Sequence, residues 1–225
     1  MIRHIVVVGL ANILLVACSA MAQTGGTSGD ACPSASKNKS LSVPLKGQET
    51  HYWCWAASTQ MTMNYINKKA KLDQCTIVQD QNPNLLSGPY PTNCCADHGA
   101  CTMTSPPTTS AEFSPIYQRY KFTANINGLY QHLEWKDVKD QIYCKKKPFS
   151  YTIEEAGNQH MVVVRGYKTS NSGVRFVRIN DPLGICPGLS CPGETRYITY
   201  EDYVGGLAYT HKHINDHYDI TYVGQ

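Results

Sequence analysis

Gln48-Glu49-Thr50-His51-Tyr52-Trp53-Cys54-Trp55-Ala56-Ala57-Ser58 is the stretch on which the reading of this 225-residue chain turns. Met61, Met63, Tyr65 and Ile66 follow it, and neither Gly nor Pro interrupts the chain from Glu49 to Lys71. A short polar loop therefore runs into a helix apolar enough to be buried. Cys54 falls in the first turn, where the positive end of a helix macrodipole and unpaired backbone N–H groups favour a thiolate. The Trp53 and Trp55 flanks suit the wall of a cleft. They suit a plain hydrophobic core equally well, because cysteine is among the most buried residue types. Gln48, approached through Pro44 and Gly47, tips the balance toward chemistry. Acyl transfer by a thiolate generates a tetrahedral oxyanion. A Gln amide N–H together with the Cys54 backbone N–H would supply two donors, each worth on the order of 3 kcal/mol in the transition state.

The second half of the chain supplies a base. Lys147 to Ile153 reads as a strand, Glu154 to Gln159 as a turn, and His160-Met161-Val162-Val163-Val164-Arg165-Gly166-Tyr167 as a strongly β-branched strand. Turn formers occupy Lys168 to Gly173, and Val174 to Asn180 then alternates apolar and polar until Asp181-Pro182 ends it. A hairpin centred near Ser170 and Asn171 sets His160 across from Asp181. Asp181 is then placed to hold one imidazole nitrogen while the other takes the proton of Cys54. Asn180 competes for the orienting role, since a bulge or a one-residue slip exchanges the two faces.

Taken in order, Gln48, Cys54-Trp55-Ala56-Ala57-Ser58, Gly157-Asn158-Gln159-His160-Met161-Val162-Val163-Val164 and Asn180-Asp181-Pro182 resemble the papain-like cysteine peptidase superfamily (clan CA). Within it they are similar to the compact bacterial branch of secreted avirulence-type effector proteases and relatives of bacteriocin-processing peptidases. The resemblance implies Gln48 as oxyanion-hole residue, Cys54 as nucleophile, His160 as base and Asp181 as orienting acid, with peptide bonds as the substrate class and no cofactor. Gln74-Cys75 and Asn93-Cys94-Cys95 also look like cysteine positions of the effector-type branch. The fold expected is α+β, papain-like and two-lobed. A helical lobe from about Leu41 to Tyr130 carries Cys54, and an antiparallel sheet lobe from about Gln131 to Gln225 carries His160 and Asp181. Two other functions use the same sequence features: an amidase or transacylase acting on cell-wall or isopeptide bonds, and a disulfide-rich binding module in which Cys54 is inert.

Composition narrows the setting. Residues 1–17 carry Arg3 ahead of an apolar run from Ile5 to Ala17, too short for a membrane span, and read as a secretion signal. Leu15-Val16-Ala17-Cys18 resembles a lipobox, implying a lipidated Cys18 and membrane attachment, whereas Ala20-Met21-Ala22 resembles an ordinary signal-peptidase site that would remove 1–22. Either way the chain is expected to be exported, as an outer-membrane or cell-surface lipoprotein, periplasmic or secreted. Residues 18–40 form a flexible leader, and 41–225 one catalytic domain. The formal net charge is only +3, and no basic run exceeds Lys145-Lys146-Lys147, which argues against nucleic acid as a partner and leaves a protein or peptide substrate.

Ten cysteines suit an oxidising compartment. Setting aside Cys18 and Cys54 leaves eight, an even number compatible with four disulfides of undetermined pairing. Cys186 and Cys191 read as a local disulfide rather than half of a zinc site. His211, His213, Asp216 and His217 read as an exposed polar turn rather than a metal site.

Overall fold

A computed structural model describes residues 36–81, 93–102, 110–155, 158–184, 190–205 and 211–224. All belong to the second of the chain's two units, 32–225. The signal segment, Cys18, most of the leader, Cys32, Gly157 and Cys186 lie outside the described residues. The described residues form seven strands, β1 (Asn38–Ser40), β2 (Phe122–Ile126), β3 (Phe149–Glu155), β4 (Asn158–Thr169), β5 (Arg175–Asp181), β6 (Glu194–Thr199) and β7 (His211–Tyr222), with most of the helices falling between β1 and β3. The helices are α1 (Cys54–Ile66), α2 (Gln74–Gln81), α3 (Ser110–Arg119), α4 (Trp135–Lys139) and α5 (Tyr200–Val204). The fold is α+β, as the resemblance implies.

Helix α1 is the pivot. Every residue from Cys54 to Met63 is buried, so it has no solvent face, as expected of a helix apolar enough all round to be enclosed. One core gathers around its start: Trp53 just ahead of α1 and Trp55, Met63, Ile77 and Phe113 from the helices, closed by Met161 and Ile220 from the sheet. The other core is built on the sheet, with Phe149, Tyr151, Val162 and Val164 packed against Val138 and Tyr203.

The sheet is antiparallel throughout, in the order β2-β7-β3-β4-β5-β6, with β1 added to β4 beyond the end of β3. Strand β2 falls within residues 41–130, so the helical part does not own that span outright, and β1 takes the end of the expected leader into the sheet. The β4–β5 register also differs from expectation. Lys168 faces Phe176 and Gly166 faces Arg178, but past a bulge at Arg165 the pairing becomes Val164 with Ile179 and Val163 with Asn180. Asp181 therefore lies level with Val162, a diagonal neighbour of His160 and not its direct partner.

The bulge has a consequence for function. Without it the upstream register would set Asp181 level with Val163, on the face opposite His160, and would bring Asn180 round instead. Leu41 anchors the bulge: its N–H donates to the Arg165 carbonyl at 2.7 Å, and Arg165 Nε donates back to the Leu41 carbonyl at 2.8 Å.

Residues 211–217 are a second departure. They belong to strand β7, not to an exposed turn, and His213, Asn215, Asp216 and His217 are all buried. Asp216 is satisfied there by Tyr203 Oη at 2.7 Å, the Leu133 N–H at 2.8 Å and Asn127 Nδ2 at 3.0 Å.

Candidate active site

Cys54 is the first residue of α1 and the one free cysteine among the described residues, 9% exposed. The first intrahelical bond that the preceding carbonyl accepts is Ala57 N–H to Trp53 O, 2.9 Å, so the N–H groups of the first turn precede the i→i−4 ladder. Trp53 flanks the start with no side-chain cap.

His160, near the outer end of β4, donates from Nε2 to Asp181 Oδ1 at 2.7 Å. That leaves the other ring nitrogen for the thiol of Cys54, which lies close enough to act on the imidazole. Burial by itself would lower the basicity of this ring. The hydrogen bond to Asp181, the neighbouring Cys54 and the charge of both partners outweigh it and raise His160 to about 10. Asp181 is itself held by three donors: His160, the Leu183 backbone N–H at 2.9 Å and Arg196 Nη2 at 3.0 Å. Burial of Asp181 acts upward, and these hydrogen bonds with the imidazolium charge overcome it, bringing the carboxyl down to about 2. The structure thus brings Cys54 and the hydrogen-bonded pair of His160 and Asp181 together at one site. Asn180, the competitor, points away: it donates to the Val43 carbonyl at 3.2 Å and accepts from Thr195 Oγ1 at 2.8 Å.

Gln48 is buried in the loop just ahead of α1. Its amide Nε2 donates to the Thr50 carbonyl at 2.9 Å and the His51 carbonyl at 2.6 Å, while Oε1 is buried without a partner. Both amide hydrogens are therefore committed to the turn that delivers Cys54. Its backbone is held as tightly: Gln48 N–H donates to Pro182 O, and Cys191 N–H to Gln48 O, each at 2.9 Å.

Spacing arguments pass over several supporting side chains. Ser58, one turn below Cys54 on α1, donates to the Met161 carbonyl at 2.9 Å and so ties the helix of Cys54 to the residue after His160. Trp53 Nε1 donates to the Cys101 carbonyl at 3.2 Å, and its ring lies 5.3 Å from that of His98. The segment carrying Cys101 is stapled by Cys94–Cys101, and its neighbour by Cys75–Cys95. Cys144 and Cys191 are disulfide-bonded as well. Among the described residues no three His, Cys, Asp or Glu side chains are grouped to share a metal ion.

No curated protein matches the chain. Among solved structures it is similar to one described as a recombinant stem bromelain precursor, at 12% identity and a TM-score of 0.45, over 84% of this chain and 71% of that one. The model of the Peptidase_C39 like family matches residues 40–186, which include Gln48, Cys54, His160 and Asp181. With that match over nearly two thirds of its length, the chain belongs to the Peptidase_C39 like family and is a cysteine-type peptidase.

Proposed function

We propose that the chain hydrolyses peptide bonds through a thioester on Cys54, with His160 as the base and general acid and Asp181 as its orienter. The observation that carries this reading is the free thiol at the first turn of α1 set against an imidazole whose far nitrogen is fixed to Asp181 at 2.7 Å. The Cys54 sulfur attacks the scissile carbonyl, forming the S–C bond as the C=O electron pair moves onto oxygen. Collapse of that oxyanion breaks the C–N bond, and the imidazolium of His160 gives its proton to the leaving amine. Neutral His160 then draws a proton from water, which attacks the thioester carbonyl; collapse of this second oxyanion breaks the C–S bond and releases the carboxylic acid, and the proton passes from His160 back to the sulfur.

In this reading the Cys54 backbone N–H is one oxyanion donor, and Gln48 is the second once a substrate oxygen takes one amide hydrogen from the His51 carbonyl. The chain's export, and its attachment to a membrane through a lipidated Cys18, belong to the same proposal and rest on the sequence alone.

Alkylation by iodoacetamide near neutral pH tests the pairing. Cys54 should react faster in the wild type than in His160→Ala. Equal rates, no faster than a cysteine in an unstructured peptide, would remove the basis for the reading.

A further inference from the structure

Gln74 opens α2 and is remote in sequence from every residue of the triad, yet its amide is fully engaged at the site's edge. Its side chain is 1% exposed. Oε1 accepts from the Glu49 backbone N–H at 3.0 Å, and Nε2 donates to the Gly47 carbonyl at 2.8 Å. These are the backbone groups immediately before and after Gln48. Nε2 also donates to Gln60 Oε1 at 3.3 Å, and Gln60 sits on α1 below Cys54 and donates to the Leu72 carbonyl at 2.8 Å. The orientation of the Gln74 amide is fixed by chemistry, since its acceptor faces an N–H and its donor faces a carbonyl. One side chain thus joins three segments: the loop of Gln48, the helix of Cys54 and the start of α2, which the adjacent Cys75–Cys95 disulfide holds.

We infer that Gln74 is a positioning residue for peptide hydrolysis, clamping the backbone on both sides of Gln48 so that the oxyanion donors keep a fixed relation to the Cys54 sulfur. This rests on the function proposed above. A buried amide whose acceptor and donor bond the backbone on the two sides of a single residue acts on that residue's placement. The role separates acylation, which develops an oxyanion, from alkylation of the same sulfur, which does not.

The test compares two rates on the folded protein: acylation of Cys54 by p-nitrophenyl acetate and alkylation of Cys54 by iodoacetamide. Gln74→Met removes both bonds at similar volume, and Gln74→Glu keeps the acceptor but loses the donor. Both variants should slow acylation at least ~10-fold, since one misplaced oxyanion donor costs on the order of 100-fold, while alkylation changes less than about twofold. In a Gln48→Ala background the Gln74→Met change should cost nothing further, because its effect runs through Gln48. Acylation at the wild-type rate, a parallel fall of both rates, or full additivity with Gln48→Ala would overturn the assignment. If Gln74→Met does not fold, Gln74→Glu decides alone by the same ratio. A failure of the underlying function would look different: Cys54→Ala would itself retain wild-type ester turnover.

Discussion

At the scale of single residues the site depends on orientation more than on identity. Asp181 exchanges three hydrogen bonds with groups that fix it, and through its 2.7 Å bond it fixes which nitrogen of His160 faces the sulfur. Asp181→Asn keeps the shape but removes the charge that supports the imidazolium. Its alkaline limb of kcat/KM should therefore move below the wild-type value set by a His160 held up at about 10. Profiles of wild type and variant that superimpose would show that Asp181 does not act on the ring. Ser58→Ala leaves the Met161 carbonyl short of a buried partner, a loss of about 1–3 kcal/mol. It also frees α1 to shift against β4. A calorimetric melt should fall accordingly and kcat should fall several-fold, because ångström-scale misplacement of reacting groups is costly. Cys54, His160 and Gln48 are legible in the sequence because each sits beside a strong local pattern, an apolar helix or a β-branched strand. Gln74 and Ser58 carry no such pattern, since an amide or hydroxyl that bonds backbone groups of another segment, 25 and 27 residues away for Gln74 and 103 for Ser58, leaves no spacing to read.

At the scale of elements, the β4–β5 hairpin shows what pattern reading sees and what it misses. Both strands are recognisable from their residues. The turn is not centred near Ser170 and Asn171, because Gly173 takes a φ of +87 and Ser170 N–H donates to Val174 O at 2.8 Å, moving the centre toward Ser172. The bulge at Arg165 then restores the parity that aims Asp181 at His160, and nothing in a Val-Val-Val-Arg-Gly run announces it. β7 escapes pattern reading for another reason: His213, Asn215, Asp216 and His217 are buried beside Ile214 and Ile220, and the hydrogen bonds that satisfy Asp216 come from distant segments that only the folded chain provides.

Close approach governs the loop of Gln48. A Cβ on Gly47 would stand 1.8 Å from the Cys191 carbonyl oxygen, a backbone atom with little room to retreat. Gly47→Ala should accordingly destabilise the fold by about 1–3 kcal/mol or more and lower kcat by displacing Gln48, both read from a urea melt and a turnover assay on one preparation. The stapled segments matter in the same way. Replacing Cys94 and Cys101 together opens a loop with a sequence separation of 7 residues. The loss should be about 2–3 kcal/mol and should loosen the carbonyl that receives Trp53 Nε1. Retention of the full melting temperature would show that the staple is dispensable.

At the scale of the whole molecule, two cores meet around one enclosed helix, and the ion pair at its end links stability to pH. His160 is raised from 6.5, so its contribution is complete below about pH 6.5 and is lost as pH climbs toward 10. Asp181 is lowered from 3.8, so its contribution is complete above about pH 4 and is lost as pH falls toward 2. Urea midpoints should form a plateau from about pH 4 to 6.5 and decline on both sides. The joint His160→Ala, Asp181→Asn variant should flatten that dependence.

The central claim, that peptide hydrolysis runs through the sulfur at the head of α1, is tested by incubating wild type and Cys54→Ala with an unbiased peptide library and reading the products by mass spectrometry. The wild type should cleave, with Cys54→Ala at the level of a protein-free control. Cleavage by Cys54→Ala at the wild-type rate would contradict the account.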